Sequence, residues 1–262
     1  MEIVALVKSV PDMADAEIAI DRTGKDIQKG DLVFDINEWD NYAMEEAVLL
    51  KEKLGGTVTA VTLGPDESEE VLRRCLALGA DAAVRLDDPA FAGGDAFTTA
   101  TALAAALKSM PCDLILTGFM ASDDGDAQVG GLIAEMLDIP HATLATSLEI
   151  DGKIARVQRE LEGGMEETVE LQLPALVTVQ TGINEPRYVP IAGIRRAARR
   201  EIPVMGLADL GLKADQVGAA GARVEVEEVF LPEAGHQGEM LEGSAEEIAE
   251  KLIGIFGSKG WL

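Results

Sequence analysis

Residues 57–86 read T-V-T-A-V-T-L-G-P-D-E-S-E-E-V-L-R-R-C-L-A-L-G-A-D-A-A-V-R-L. Residues 57–63 are a β-branched run of strand length, and Gly64-Pro65 ends it. Residues 67–78 carry helical spacing and stop at Gly79, and residues 82–86 are a second short strand. A strand, a helix and a strand in this space form a crossover unit, and such units join parallel neighbours in one sheet.

The pattern extends both ways. Upstream, residues 2–7 (E-I-V-A-L-V) are an apolar strand. Residues 41–53 place Tyr42, Met44, Ala47, Leu49 and Leu50 at helical spacing, and Gly55-Gly56 stops them. Downstream come an Ala-rich helix at 95–109, a strand at 113–117 and a helix at 126–137 that ends before Pro140. This order predicts an α/β fold with a mostly parallel, doubly wound sheet.

After residue 145 the texture changes. Residues 147–158 and 167–180 are predicted to be antiparallel or edge strands joined through E-L-E-G-G-M-E. Residues 206–242 lack steady periodicity and are predicted to form an extended arm. Ser244 and Glu247 form a capping-box pattern that starts a last helix, with Ile248, Leu252, Ile255 and Phe256 on one face. The expected division is an α/β domain over 1–205 and an arm with a terminal helix over 206–262 that contacts a partner.

Composition narrows the function classes. With 47% hydrophobic but only 4% aromatic residues, the core has to be built from aliphatic side chains, which suits buried parallel strands. The 47 acidic and 22 basic residues leave a formal charge of −25. That argues against nucleic acid and against an anionic membrane surface. No run approaches the ~18 apolar residues of a membrane span, and the start M-E-I-V-A-L-V-K has no basic segment ahead of an apolar one. A cytoplasmic protein with no membrane insertion is expected. Cys75 and Cys112 have no metal-like spacing and are expected to be small apolar residues.

Ligands in open α/β sheets sit beyond the carboxyl ends of the strands, near a switch in strand order. The turns there are V-K-S-V-P-D, L-G-P-D and T-G-F-M-A-S-D-D-G-D. The third belongs to T-G-F-M-A-S-D-D-G-D-A-Q-V-G-G over Thr117–Gly131, which runs straight into the helix L-I-A-E-M-L. A turn of small residues entering a helix aims backbone N–H groups at one point, an arrangement that binds phosphate. Gly130 and Gly131 allow close approach. Asp123 and Asp124 would accept from ribose hydroxyls, or would only cap the turn. The loop is neither a Walker A sequence nor G-x-G-x-x-G, so a kinase or ordinary dehydrogenase has no support.

Residues 157–178, V-Q-R-E-L-E-G-G-M-E-E-T-V-E-L-Q-L-P-A-L-V-T, resemble the signature segment of electron-transfer flavoprotein beta subunits. Arg159, Glu162, Gly163, Gly164, Glu167, Val169 and Pro174 stand at its defining positions. V-K-S-V-P-D at 7–12, N-E-W-D-N-Y-A-M-E-E-A at 37–47, G-A-D at 79–81 and N-E-P-R-Y at 184–188 are similar to the same family. The likeness runs from residue 2 to about residue 204.

The resemblance implies a fold of the adenine-nucleotide hydrolase-like type with a five-stranded parallel sheet. It implies a heterodimer with an alpha subunit and FAD at their interface, plus an AMP or a second FAD held by this subunit. The nucleotide site would be formed by Leu6, Val7, Lys8, Asn37, Leu63, Gly64, Pro65, Asp123, Asp126, Ala127, Gln128, Val129 and Gly130. A-Q-V-G at 127–130 is similar to members with a second flavin that bifurcate electrons, whereas Asp126 and Phe119-Met120 depart from them, so AMP and FAD both stand. Glu166, with Arg159, would approach the interface flavin. Ile191, Ala192 and Gly193 match the loop by which the family docks its dehydrogenase, with Ile191 as the apolar anchor. Arg195, Arg196, Arg199 and Arg200 would share one helix face and either steer an acidic partner or remain a solvated surface.

The implied role is an electron-carrying subunit without a catalytic residue or metal of its own. It would take electrons from acyl-CoA or other flavin dehydrogenases and pass them to a quinone-linked or other acceptor oxidoreductase. A stand-alone adenine-nucleotide sensor or stress-type module is the alternative. An adenine-nucleotide hydrolase is a third reading, without an evident catalytic constellation.

Overall fold

The computed structural model describes residues 1–13, 16–232, 238 and 240–262; His236, which the sequence leaves isolated from other candidate ligands or bases, lies outside them. In chain order the strands are β1 (Glu2–Leu6), β2 (Ser9–Pro11), β3 (Phe34–Ile36), β4 (Thr57–Leu63), β5 (Ala82–Leu86), β6 (Leu114–Gly118), β7 (His141–Asp151), β8 (Ile154–Leu161), β9 (Met165–Gln172), β10 (Ala175–Val179) and β11 (Val204–Met205). The helices are α1 (Glu38–Leu54), α2 (Glu69–Leu78), α3 (Ala96–Leu107), α4 (Val129–Leu137), α5 (Ile191–Ala197), α6 (Gly218–Gly221) and α7 (Ala245–Ser258).

Nine strands form one sheet in the order β11-β5-β4-β1-β6-β10-β7-β8-β9. From β11 to β7 every neighbour is parallel, and β8 and β9 add an antiparallel meander. The sheet is therefore wider than the five parallel strands the resemblance implied. Ile3, Ala5 and Val7 face one layer, made by α1, α2 and α5, while Val4 and Leu6 face the other, made by α3 and α4. This alternation on a doubly covered strand explains why β1 reads as a continuous apolar run.

The second half of the sheet corrects the sequence reading. The segment expected as one strand over 147–158 is the hairpin of β7 and β8. Within 167–180, β9 is the outer antiparallel strand, but β10 is an interior parallel strand between β6 and β7. All five residues of β10 are buried, so both faces of this strand are covered. The short antiparallel pair β2–β3 was not foreseen.

The chain divides into two compact units: residues 1–19 with 28–227, and residues 20–27 with 228–262. In the first, the run after β11 folds back as turns, a short 3-10 segment at 214–216 and α6, with Val217 fully buried. Arg223 lies 3.7 Å from the centre of the Phe97 ring, and the Arg223 and Val224 amides donate to Asp95. In the second, Ile20 bridges Ile27, and the Val229 amide donates to the Gly24 carbonyl. Ser244 caps α7: its hydroxyl accepts from the Glu247 amide, and the Glu247 carboxylate accepts from the Ser244 amide. Among the described residues, no helix is long and apolar enough to cross a membrane.

Candidate functional site

The strand order switches at β1. The chain winds from β1 outward through β4 and β5, then returns to build β6 and β10 on the other side. Such a switch is where open α/β sheets take their ligands, so the crevice is assigned to the carboxyl ends of β1 and β6, with the first turn of α1 packed against Gly118 as its floor. Leu6, Val7 and Lys8 form one lip. The loop after Gly118 forms the other.

Lys8 spans the crevice. Its ammonium donates to Asp123 Oδ1 and Asp124 Oδ2, each at 2.7 Å. Burial alone would lower its pKa, but the hydrogen bonds to Asp123 and Asp124 outweigh that and raise it. Asn37 ties the same parts from beneath. Its amide N–H donates to the Lys8 carbonyl at 2.9 Å, and its side-chain amide donates to the Met120 carbonyl at 2.8 Å. Its Oδ1 accepts from the Ser122 amide at 3.2 Å. Asn37 is buried with every one of these contacts inside the crevice floor, so it acts as a staple between lips.

Ala127 takes a left-handed φ of 52°, uncommon without glycine, and so turns the loop into α4. No side chain caps α4, so its first-turn N–H groups have neither an intrahelical acceptor nor a side-chain cap. Gly130 lets that turn press onto the sheet: a Cβ there would stand 2.6 Å from Thr178 Cγ2. Asp126, Ala127 and Gln128 are exposed, and Val129 is half-buried. On the other flank of β1, the Gly64 amide donates to the Leu86 carbonyl at 3.0 Å. The nearly buried Arg85 donates to the Gly64 carbonyl and pairs with Asp66 and Asp87, which holds the turn Leu63-Gly64-Pro65 in place.

One ammonium, an uncapped helix start and a glycine packed without room for a side chain make a donor set that fits a phosphate-bearing ligand. The phosphate would compete with Asp123 and Asp124 for Lys8. A groove of about 520 Å³ elsewhere, lined by Phe97, Thr101, Lys108, Met136, Leu210 and others, shares no residue with this crevice.

The sequence reading missed Asp40. Its carboxylate is 4% exposed and accepts from the Lys8 and Gly118 amides, each at 2.8 Å. A signal was there to read: Asp40 stands three, four and seven residues before Ala43, Met44 and Ala47, on the apolar stripe of α1, where an acid is out of place.

The remaining candidates lie apart from the crevice along the chain. Glu166 is exposed on β9 and accepts from the Gln158 side chain, while Arg159 bonds Thr143 and pairs with Glu167. Ile191 opens α5 after Pro190 and is 72% exposed, which places it outside the core. Ala192, Arg195, Arg196, Arg199 and Arg200 are exposed too, whereas Gly193 faces inward against the Ala77 carbonyl. The helix ends at Ala197, so Arg199 and Arg200 sit in the following turn and do not extend the helix face expected from their spacing. Arg73 of α2 donates to the Ala197 and Arg200 carbonyls, closing that end. Cys75 is buried and Cys112 half-buried, and burial pushes both thiols up to about 12, as befits unreactive packing residues. Among the described residues, no cluster of His, Cys, Asp or Glu is arranged to hold a metal.

The electron transfer flavoprotein domain model matches residues 28–210. The chain is 39% identical over 260 residues to the electron transfer flavoprotein subunit beta of Methylophilus methylotrophus, covering 97% of each. It is 41% identical over 243 residues to the Bacillus subtilis protein of the same name, covering 90% of this chain and 91% of that one. It is also 38% identical over 257 residues to subunit CarD of the caffeyl-CoA reductase-Etf complex of Acetobacterium woodii, covering 97% of each.

Proposed function

The chain belongs to the electron transfer flavoprotein family as a beta-type subunit and serves electron transfer, and from that premise we propose that it works as half of a heterodimer whose crevice at β1 and β6 holds an adenine nucleotide. The partner is an alpha subunit, with FAD at the shared interface. The flavin supplies the storage of electrons; this chain supplies shape, charge and docking. Lys8 and the first turn of α4 would hold the phosphate, Asn37 would fix the lips, and Leu63-Gly64-Pro65 would close the flank. The Arg159 and Glu166 side chains on the β8–β9 hairpin would set the charge beside the interface flavin.

Ile191 would enter a pocket on the electron donor, an acyl-CoA or other flavin dehydrogenase. The relative from Acetobacterium woodii, named as part of a caffeyl-CoA reductase complex, supports a partner of that chemistry. Arg195, Arg196, Arg199 and Arg200 would steer an acidic partner toward a chain that otherwise repels one. Electrons would leave to a quinone-linked or other oxidoreductase.

The observation that carries the nucleotide assignment is the convergence of Lys8, Asn37 and the 117–131 loop at the strand-order switch. The test is to co-express the chain with its alpha subunit, denature the purified complex and quantify what is released. One FAD and one AMP per heterodimer means a one-flavin shuttle with AMP in the crevice. Two FAD and no AMP means that the crevice takes the second flavin. A well-folded complex that releases neither AMP nor a second FAD rejects the crevice as a nucleotide site.

A further inference from the structure

We propose that Asp40 is the positioning residue of the crevice: its carboxylate clamps the ends of β1 and β6 together, and adenine-nucleotide affinity follows its ionisation. The proposal rests on the reading of the crevice as a nucleotide site.

The geometry makes the clamp. β1 and β6 pair in register from Ile3↔Leu114 to Leu6↔Thr117, and there the ladder stops. The next amides on the facing edges, Lys8 and Gly118, have no strand partner between them, and each donates instead to one oxygen of Asp40 at 2.8 Å. The clamp has little slack. A Cβ on Gly118 would stand 2.5 Å from Trp39 Cβ and 2.6 Å from Asp40 Oδ1, so the first turn of α1 lies flush on the strand end. Lys8 is also the residue whose ammonium reaches Asp123 and Asp124, so a shift of its backbone moves the cation that would meet a phosphate.

The chemistry requires a carboxylate. Two converging backbone donors need two acceptors. Asn offers one acceptor and turns its NH₂ toward the other N–H, donor against donor. Protonation of Asp40 likewise converts one acceptor oxygen into a hydroxyl.

Burial raises the Asp40 pKa to about 6, against the opposing hydrogen bonds from Gly118 and Lys8, the Asn37 side chain and the Lys8 ammonium. From the other elements packed around it, the groups that face Asp40 or its partners are that ammonium, the Asp123 and Asp124 carboxylates paired to it, and the Cys75 thiol of α2. The thiol stays neutral because burial pushes it to about 12. A folded-state pKa raised above 3.8 gives a contribution to stability that is present below 3.8 and is lost as pH rises through about 6. Lowering the pH from 7.5 to 5 therefore weakens one of the clamp's two hydrogen bonds, while this same group favours the folded state. A loss of nucleotide affinity in that window reports the crevice and not unfolding at Asp40.

The experiment uses the full-length chain, stripped of nucleotide, as wild type and as Asp40→Asn. AMP is titrated by calorimetry at pH 7.5 and pH 5. Hydrogen-exchange protection factors at the Lys8 and Gly118 amides are measured at both pH values without nucleotide. The AMP phosphate also takes up a proton in this range; that contribution is common to both proteins, so the difference between them is read. The wild type is expected to lose about tenfold more AMP affinity than Asp40→Asn does between the two pH values, starting from a tighter value at pH 7.5. Protection at Lys8 and Gly118 is expected to fall by about tenfold in the wild type over the same interval.

Parallel AMP profiles for the two proteins overturn the proposal, and so does protection that stays constant in the wild type, a readout that survives even if Asp40→Asn does not fold. If the wild type binds neither AMP nor FAD, titrated in the same way at pH 7.5, while protection at both amides still falls at pH 5, the clamp stands and the nucleotide reading of the crevice fails.

Discussion

Arg187 is forked between two carboxylates of α1. Its Nε lies 3.0 and 2.9 Å from the oxygens of Glu45, and its Nη1 and Nη2 reach Glu52 at 2.7 and 3.1 Å. Glu45 is only 4% exposed, so removing the guanidinium strands a buried carboxylate beside a single backbone donor, the Arg187 amide. Arg187→Ala should cost about 2–3 kcal/mol at neutral pH, near the low end for a broken buried pair because water can reach the vacated side. Urea denaturation checks it. A shift under about 0.5 kcal/mol would mean that water solvates Glu45 fully. The exposed Glu52 partner adds little. Asn184 extends the attachment through the Tyr42 carbonyl and Glu46. The segment that presents Ile191 is thus bolted to α1, and Ile191 itself is free of the core. Ile191→Ala should change stability by less than about 0.5 kcal/mol and leave bound cofactor intact. Electron transfer from the docked dehydrogenase should slow by about tenfold or more, the loss expected of an apolar anchor at an interface. Stopped-flow reduction of the complex decides this, and unchanged rates would move the docking site off this loop.

At the scale of elements, Gly130 sets how closely α4 approaches the sheet. A methyl there meets Thr178 Cγ2 at 2.6 Å and Thr117 Cγ2 at 3.2 Å, with Thr178 buried and unable to swing away. Gly130→Ala should destabilise the chain by about 1–3 kcal/mol through overpacking. Adding Thr178→Ser removes the clashing methyl while keeping the hydroxyl that accepts from the Leu144 amide. The double variant should therefore recover most of the loss in a thermal melt; no recovery would place the strain elsewhere. The two layers of the fold were legible because short apolar, β-branched runs and segments of helical spacing alternate from Glu2 to Leu137 with Gly and Pro between them. The 57–86 unit was read almost to the residue. The part from 141 onward was not, because β10 is buried on both faces and follows a polar strand without a long break, so an interior strand and an edge strand merge into one run. The crevice was half legible. Lys8, Asn37 and the 117–131 loop announce themselves through turn chemistry and family likeness. The two-acceptor role of Asp40 depends on where two strand ends converge, which no local pattern encodes.

The whole molecule puts its charge and its tail to different uses. The chain's net charge of −25 repels acidic partners, and the arginines around α5 stand against that background as a local exception. The second compact unit is different in kind. Its helix α7 is well capped at Ser244 yet leaves Leu252, Ile253, Phe256 and Trp261 exposed, and Phe230, Leu231 and Met240 ahead of it are exposed as well. Apolar side chains left exposed together in this way are characteristic of a surface that a protein partner covers. The expectation is that residues 228–262 lie against the alpha subunit. The check is limited proteolysis of the full chain, alone and as the purified heterodimer, with the cuts mapped by mass. Alone, cleavage should concentrate between residue 224 and Ser244; of that stretch, residues 224–232, 238 and 240–243 are described, and their backbone lies outside helix and sheet. In the heterodimer those cuts should slow by about tenfold or more, because cleavage then waits on dissociation of a buried segment. The sheet should resist in both samples and serve as the internal standard. Equal rates at 224–244 in the two samples would mean that the arm does not grip the partner, and the exposed face of α7 would then need another occupant.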